Sequence, residues 1–151
     1  MKKTFLLFAL LSATISYGQT NYSPRIFVKE CKKYKGTPYK FGGNDKRGID
    51  CSGVIHNAFS SLDVSFPRVS YQQAEVFRTI KLRKARKGDL LYFKTAGSRI
   101  NHTGVVIKKR GSRKLMFLHA SSSGGVRIDN LKSDYWNARF VKITRPIEYS
   151  R

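Results

Sequence analysis

The sequence predicts an α+β domain in which N-terminal helices pack on an antiparallel β-sheet. Between residues 24 and 79, apolar side chains recur every three or four positions, which is typical of amphipathic helices. After residue 88, short runs of β-forming residues alternate with turn sequences, which is typical of strands joined by hairpins. Helices that precede strands in this way favour a layer of helices on one sheet.

The first helix is expected over residues 24–35, because Ser23 and Pro24 form a typical helix start. Apolar side chains recur along one face of this helix, and Cys31 lies on that face. Cys31 is therefore expected inside the fold as a small buried hydrophobic residue. Residues 36–48 are rich in glycine and polar side chains and are expected to form a loop.

The second helix is expected to begin near Cys51, with Asp50 as its N-cap. Its apolar side chains recur at helical spacing as far as Leu62. A short third helix is expected over residues 70–79. Five strands are expected over residues 89–94, 102–109, 114–120, 126–128 and 140–144.

The beginning of the chain is typical of an exported protein. A short basic start is followed by an apolar run and small residues, so residues 1–18 are expected to be a signal peptide. The apolar run is shorter than the roughly 20 residues that a membrane-spanning helix needs. No second long apolar segment follows. Residues 19–151 therefore suit one domain in the periplasm or the medium that does not span the membrane.

The net charge is strongly positive, since 30 Lys and Arg against 9 Asp and Glu give +21 at pH 7. A field of this sign attracts polyanions. Because export argues against nucleic acid, the expected partners are anionic polymers of the cell wall or envelope. The alternative is a basic surface that serves solubility alone.

Cys51 is the candidate nucleophile because it is expected at a helix N-terminus. Free backbone N–H groups and the helix dipole stabilise a thiolate there, and the same groups can hold an oxyanion. Two alternatives remain, an inert buried thiol and a disulfide with Cys31, the only other cysteine. An exported protein permits that disulfide.

Two of the three histidines are candidates for the base that activates Cys51. His56 follows Cys51 on the same helix by five positions, about 140° around the axis, and should face away. His102 begins one expected strand and His119 ends the next, so antiparallel pairing can bring both to one sheet edge. One imidazole would accept the thiol proton and the other would hold it in the correct tautomer.

Zinc binding is the competing use of one cysteine and two histidines. The sequence contains no CxxC, HxxxH or HExxH spacing, which would be expected of common zinc sites. No metal is therefore expected, and a thiol nucleophile requires no cofactor.

Seven segments in order resemble the NlpC-type (new lipoprotein C) family of cell-wall cysteine peptidases, between about Tyr34 and Pro146. They are GTPYKFGG (36–43), DCSGVI (50–55), FPRVSYQQ (66–73), KGDLLYF (87–93), NHTGVVI (101–107), FLHASSSGGVRI (117–128) and YWNARF (135–140). The resemblance implies a papain-like core with the nucleophile at a helix N-terminus. It also implies that residues 19–151 are a single catalytic domain.

Matched position by position, the resemblance implies that Cys51 is the nucleophile and that His102 activates it. His119 falls on the third polar position, which orients the imidazole of His102. Departures such as Phe41 in place of a commoner tryptophan change the cleft but remove no catalytic group. Five further residues fall on positions that contact substrate in relatives: Tyr39, Asp50, Ser52, Arg68 and Ser70.

The activity that the resemblance implies is hydrolysis of peptidoglycan stem peptides, in remodelling or turnover of the cell wall. The family's typical bond joins γ-D-glutamate to diaminopimelate or lysine. One alternative is an amidase or an antibacterial toxin that uses the same three residues. The other is a non-enzymatic basic module that binds the wall and contains a Cys31–Cys51 disulfide.

Overall fold

The structure is a computed structural model, and it describes residues 22–111 and 114–146. The expected signal peptide therefore lies outside the described residues. Within them, a 3₁₀ turn spans Leu82–Lys84. The described α-helices are α1 (Pro24–Lys32), α2 (Cys51–Ser60), α3 (Ser70–Val76) and α4 (Asp134–Arg139).

The described strands form a small hairpin and one larger antiparallel sheet. The strands are β1 (Asn44–Asp45), β2 (Gly48–Ile49), β3 (Leu90–Phe93), β4 (His102–Arg110), β5 (Lys114–Ser121), β6 (Gly125–Asn130) and β7 (Phe140–Thr144). The order in the larger sheet is β6-β5-β4-β3-β7, so the last strand returns to pair with the first. The predicted α+β architecture is confirmed.

Two apolar clusters lie on opposite faces of the larger sheet. Phe27 of α1 and Phe59 of α2 pack in the first cluster, with ring centroids 4.3 Å apart. Trp136 of α4 packs in the second, against Phe93. Successive residues of β3 enter alternate clusters because strand side chains alternate in direction. This explains why the run LLYF is buried throughout.

Several element boundaries differ from the sequence predictions. Helix α1 ends at Lys32 because the chain then turns toward Gly36, whose φ is +85°. Helix α3 ends at Val76 because Phe77 is extended and packs on Phe66, with ring centroids 5.3 Å apart. Short polar segments of this kind carry weak periodicity, so their ends depend on such tertiary contacts.

Three further differences concern elements that the pattern missed. The loop expected over residues 36–48 contains the hairpin β1–β2. Strand β6 extends to Asn130, because Asp129 and Asn130 pair with β5 although neither is a typical strand residue. Helix α4 has six residues, too few for a clear helical period. No helix in the described part of the chain is long and apolar enough to cross a membrane.

Candidate active site

Cys51 is the first residue of α2 and lines a cleft of about 390 Å³. Asp50 caps the helix as predicted, since its Oδ1 accepts a hydrogen bond of 2.7 Å from the backbone N–H of Gly53. The Cys51 Sγ lies 4.0 Å from the backbone oxygen of Asn101. The side chain is therefore held at the helix start, against the residue that precedes β4.

The environment of Cys51 favours a neutral thiol in the substrate-free protein. Burial raises the pKa of Cys51 to about 11, although the backbone N–H groups of Thr103, Ser52 and Cys51 itself lower it. The negative charge of Asp50 raises it further. The helix terminus alone therefore does not hold a resting thiolate, and this thiol would need a base to become a nucleophile.

His102 and His119 lie together, as the strand pairing predicts. His102 Nε2 is 3.0 Å from His119 Nδ1, and both rings are buried. Burial, with a smaller effect of His119, lowers the pKa of His102 to about 3, so its imidazole is neutral. His102 also adjoins Cys51, because the backbones of both its chain neighbours, Asn101 and Thr103, interact with the Cys51 Sγ.

The line of polar contacts continues from His119 to Asp129 on β6. His119 Nε2 lies 3.0 Å from Asp129 Oδ2, and the indole N–H of Trp136 donates to the same oxygen at 3.1 Å. Arg127 Nε donates to the other carboxylate oxygen at 2.9 Å. Burial raises the pKa of Asp129. The hydrogen bonds from His119 and Trp136 and the charge of Arg127 outweigh this effect and hold the pKa below its usual range.

Sequence reasoning missed Asp129 and Trp136 as members of this site. The expected strand ends at residue 128, so Asp129 lies outside it. The sequence pattern that could have indicated it is the pair Arg127 and Asp129. These two residues lie on the same face of the sheet if the strand continues past residue 128. Trp136 is the only tryptophan in the chain. It lies in the segment YWNARF, for which the resemblance implies no role.

All five residues expected to contact substrate line the cleft that contains Cys51. The segments that contain them therefore converge around Cys51 although they are separated in the sequence. The five are Tyr39, Asp50, Ser52, Arg68 and Ser70.

Asp50 and Arg68 form an ion pair in the wall of this cleft. Arg68 donates to both carboxylate oxygens of Asp50, at 2.8 and 3.0 Å, and to Ser52 Oγ at 3.0 Å. Asp50 also accepts from Gly42 N at 2.9 Å. A bidentate pair of this kind is rigid, so it fixes the segment before α3 relative to the start of α2, where Cys51 lies.

Tyr39 contributes a hydroxyl group that stays protonated. Burial raises the pKa of Tyr39, and negative charge at Cys51 or Asp50 would raise it further. A protonated phenol in the wall of the cleft can donate a hydrogen bond to a developing oxyanion.

A second cavity of about 570 Å³ is lined by His102 and Asp129. Tyr39, Phe41 and Asn101 line both cavities, so the two are halves of one groove. Phe41 stands 89% exposed at their junction. A groove with Cys51 in one half and His102 in the other suits an extended chain.

Cys31 and His56 take no part in this groove. Cys31 is fully buried, burial raises its pKa, and neither it nor Cys51 forms a disulfide. His56 Nδ1 donates to the backbone oxygen of Phe66 at 2.8 Å. Within residues 22–111 and 114–146, no group of three or more His, Cys, Asp or Glu side chains could hold a metal ion.

The sequence has relatives among enzymes of the bacterial envelope. It is 36% identical over 118 residues to the murein DD-endopeptidase MepS/murein LD-carboxypeptidase of Escherichia coli K12, an alignment that covers 78% of this chain. It is 32% identical over 121 residues to the bifunctional muramidase/DL-endopeptidase CwlT of Bacillus subtilis, covering 78% of this chain and 35% of that protein. The chain spans 60% of the length of the Escherichia coli relative.

The fold is shared with solved structures. The crystal structure of an NlpC/P60 family protein from Bacillus cereus superposes with a TM-score of 0.72, at 23% identity, over 82% of this chain and 40% of that one. The α+β fold with a papain-like core is therefore established. The sequence profile of the NlpC/P60 family matches residues 36–145. Because this match covers most of the chain, including every segment that lines the groove, the chain belongs to the NlpC/P60 family.

Proposed function

We propose that this chain is an exported cysteine endopeptidase that hydrolyses peptidoglycan stem peptides. The observation that carries the proposal is the position of Cys51 at a helix N-terminus in an open groove, against the backbone that flanks His102, which is itself bonded to His119. Two relatives named as murein or DL-endopeptidases support the substrate class. Residues 1–18 would be the signal peptide and residues 19–151 the catalytic domain, acting in the periplasm or the medium.

The mechanism follows from the protonation states. Cys51 Sγ attacks the carbonyl carbon of the scissile amide while its proton passes to the neutral imidazole of His102. The C–N bond then breaks as His102 returns this proton to the leaving amine. A water molecule, deprotonated by His102, attacks the resulting thioester and releases the acid and the free thiol. His119 holds the imidazole of His102 in place throughout.

The oxyanion of each tetrahedral intermediate would be stabilised at the start of α2. The first N–H groups of a helix have no partner within it, and those of Cys51 and Ser52 lie beside the sulfur. The protonated hydroxyl of Tyr39 would be a further donor. Donors that are already oriented stabilise the developing charge without reorganisation.

Substrate would be held in the half of the groove that Asp50, Ser52, Arg68 and Ser70 line. Because the carboxylate of Asp50 is already bonded to Arg68, the pair would present a fixed wall rather than a free charge. We infer that the bond cleaved joins γ-D-glutamate to diaminopimelate or lysine. The name of the Bacillus subtilis relative, a DL-endopeptidase, supports this bond.

The test is digestion of purified muropeptides of the diaminopimelate and lysine types, with cross-linked dimers, followed by mass spectrometry. The wild type should cut after γ-D-glutamate, and Cys51→Ala should retain its fold but lose at least about 1,000-fold in kcat because the nucleophile is gone. Cys31→Ala is the control, because Cys31 is buried outside the groove.

Each other outcome would change the assignment. Full activity of Cys51→Ala would contradict the mechanism. A cut within the cross-link would indicate a DD-endopeptidase, and a cut at another amide would indicate an amidase. Because both cysteines are free thiols, the structure lends no support to the disulfide-containing wall-binding module.

We further infer that the basic surface retains the enzyme on anionic wall or envelope polymers. The observation that favours this is a cavity of about 660 Å³ with five exposed cationic side chains in its lining. Two acidic residues lie three positions from it in sequence. Asp89 is buried and neutralised by Arg145, with bonds of 2.8 and 2.9 Å, and Glu75 forms an ion pair with Lys142 at 2.8 Å. The five cations are Arg78, Lys81, Arg83, Lys84 and Arg86.

A further inference from the structure

We propose that Asp129 is a positioning residue that sets the tautomer of His102 through His119. The inference goes beyond the three residues of the proposed mechanism, and its kinetic part depends on that mechanism. It starts from the carboxylate of Asp129, which lies at one end of the hydrogen-bonded line that joins His102, His119 and Asp129.

The direction of each bond follows from the donors present. Asp129 is ionised, because its pKa is below the usual range, and an ionised carboxylate can only accept. His119 Nε2, 3.0 Å away, must therefore carry a hydrogen. Burial lowers the pKa of His119, so its ring is neutral and carries one hydrogen only. His119 Nδ1 is consequently an acceptor.

The same logic extends to His102. Its Nε2 lies 3.0 Å from the accepting Nδ1 of His119, so it must donate. A neutral imidazole has one N–H, which leaves the lone pair of His102 on Nδ1. Nδ1 is therefore the atom that accepts the thiol proton. With the reverse tautomer of His119, His102 would carry its hydrogen on Nδ1 and could not act as a base.

Two neighbours hold the carboxylate in the required orientation. The indole of Trp136 can only donate, and it fixes the oxygen that faces His119, at 3.1 Å. Its ring also stacks on His102, with centroids 5.2 Å apart and planes 23° apart. Arg127 holds the other oxygen. When His102 becomes an imidazolium, the fixed negative charge of Asp129 stabilises it through the ring of His119, and no proton needs to reach Asp129.

The test compares Asp129→Asn with Asp129→Leu. The amide of Asn should turn its oxygen toward the obligate donor Trp136, which also keeps an acceptor for His119 Nε2–H. Leu has no acceptor. We expect Asp129→Leu to lose about 100-fold in kcat with a smaller change in KM, and Asp129→Asn to lose clearly less, because it keeps the acceptor for His119 but not the negative charge.

The direct readout is the ¹⁵N shift of the ring nitrogens of His102 in the substrate-free protein. The wild type and Asp129→Asn should carry hydrogen on Nε2 only, whereas Asp129→Leu should show a substantial Nδ1–H population. This readout needs no substrate, so it decides the proposal even if the protein cleaves no muropeptide. If Asp129→Leu does not fold, Asp129→Ala, which also lacks an acceptor, takes its place.

Three results would overturn the proposal. They are Nδ1–H on His102 in the wild type, an unchanged tautomer in Asp129→Leu, and equal loss of activity in both variants. The control pair is Asp45→Asn and Asp45→Leu, because Asp45 forms an exposed ion pair with Arg47, two residues away, outside the groove. Both control variants should leave the ring spectra and kcat unchanged.

Discussion

At the scale of single residues, burial decides the resting state of the candidate site. The helix start favours a thiolate, but desolvation of Cys51 outweighs it and raises its pKa to about 11. The same burial lowers the pKa of His102 to about 3. A neutral thiol and a neutral imidazole are therefore the resting pair, and in the proposed mechanism charge separates only when substrate supplies an oxyanion for the helix start to stabilise.

The lowered pKa of His102 predicts acid sensitivity of the fold. The unfolded chain binds a proton at His102 below about pH 6.5, whereas the folded protein resists protonation until about pH 3. The free energy of unfolding should therefore be unaffected by this group above pH 6.5 and should fall steadily below it. The depressed pKa of Asp129 acts in the same direction.

Urea denaturation at pH 7.5, 6.0 and 5.0 measures this effect. His102→Gln, which can still donate to His119, should lose less stability than the wild type between pH 7.5 and 5.0. His56→Gln, outside the groove, should follow the wild type. Parallel curves for the wild type and His102→Gln would contradict the prediction.

At the scale of elements, the two histidines depend on the close approach of β4 and β5. Gly104 lies two residues after His102 and faces β5. A Cβ atom at Gly104 would lie 2.7 Å from the ring of Phe117, 2.8 Å from the backbone oxygen of Leu118 and 3.1 Å from the Cβ of His119. Because one of these atoms is backbone, only glycine permits the observed strand separation.

Gly104→Ala should therefore force β4 and β5 apart. We expect a loss of about 2 kcal/mol in the free energy of unfolding and a fall in kcat, because the bond between His102 and His119 lengthens. Thermal unfolding and muropeptide cleavage measure the two effects. Gly124→Ala is the matched control, since its Cβ would meet only the flexible end of Arg127, at 3.3 Å. Equal stability of the two variants would contradict this account.

At the scale of the whole molecule, the basic cavity and the candidate active site lie at opposite ends of β4. His102 begins the strand, while Lys109 near its end bonds to the backbone oxygen of Arg83. Seven residues of strand separate the two ends by about 23 Å. Polymer held at the basic cavity would therefore leave the groove open to a stem peptide.

Replacement of Lys81, Arg83 and Lys84 by Gln should weaken binding to isolated sacculi by about tenfold at low salt, because three charges of the cavity are lost. It should leave kcat/KM on soluble muropeptides unchanged. Sedimentation with sacculi over a salt series is the measurement, since screening weakens the wild type in the same way. The control removes three exposed charges of α1 and its end: Lys29, Lys32 and Lys35. An equal effect of the two triple variants would indicate diffuse attraction and contradict a localised site.

The sequence by itself determined the local features of this protein. The cap at Asp50 and the apolar period after it predict a helix that begins at Cys51, and the structure has that helix. Runs of β-forming residues predict the strands that bring His102 and His119 together. These features depend on short-range hydrogen bonds and on side-chain period, both of which a sequence displays directly.

Only the tertiary structure decided the rest. Asp129 joins the line of hydrogen bonds because pairing with β5 extends β6 beyond its typical strand residues. Arg68, expected in contact with substrate, is bonded to Asp50 across 18 positions. The pKa directions of Cys51 and His102 follow from burial by segments distant in the chain. Desolvation and long-range pairing are properties of the packed chain, so no local pattern contains them.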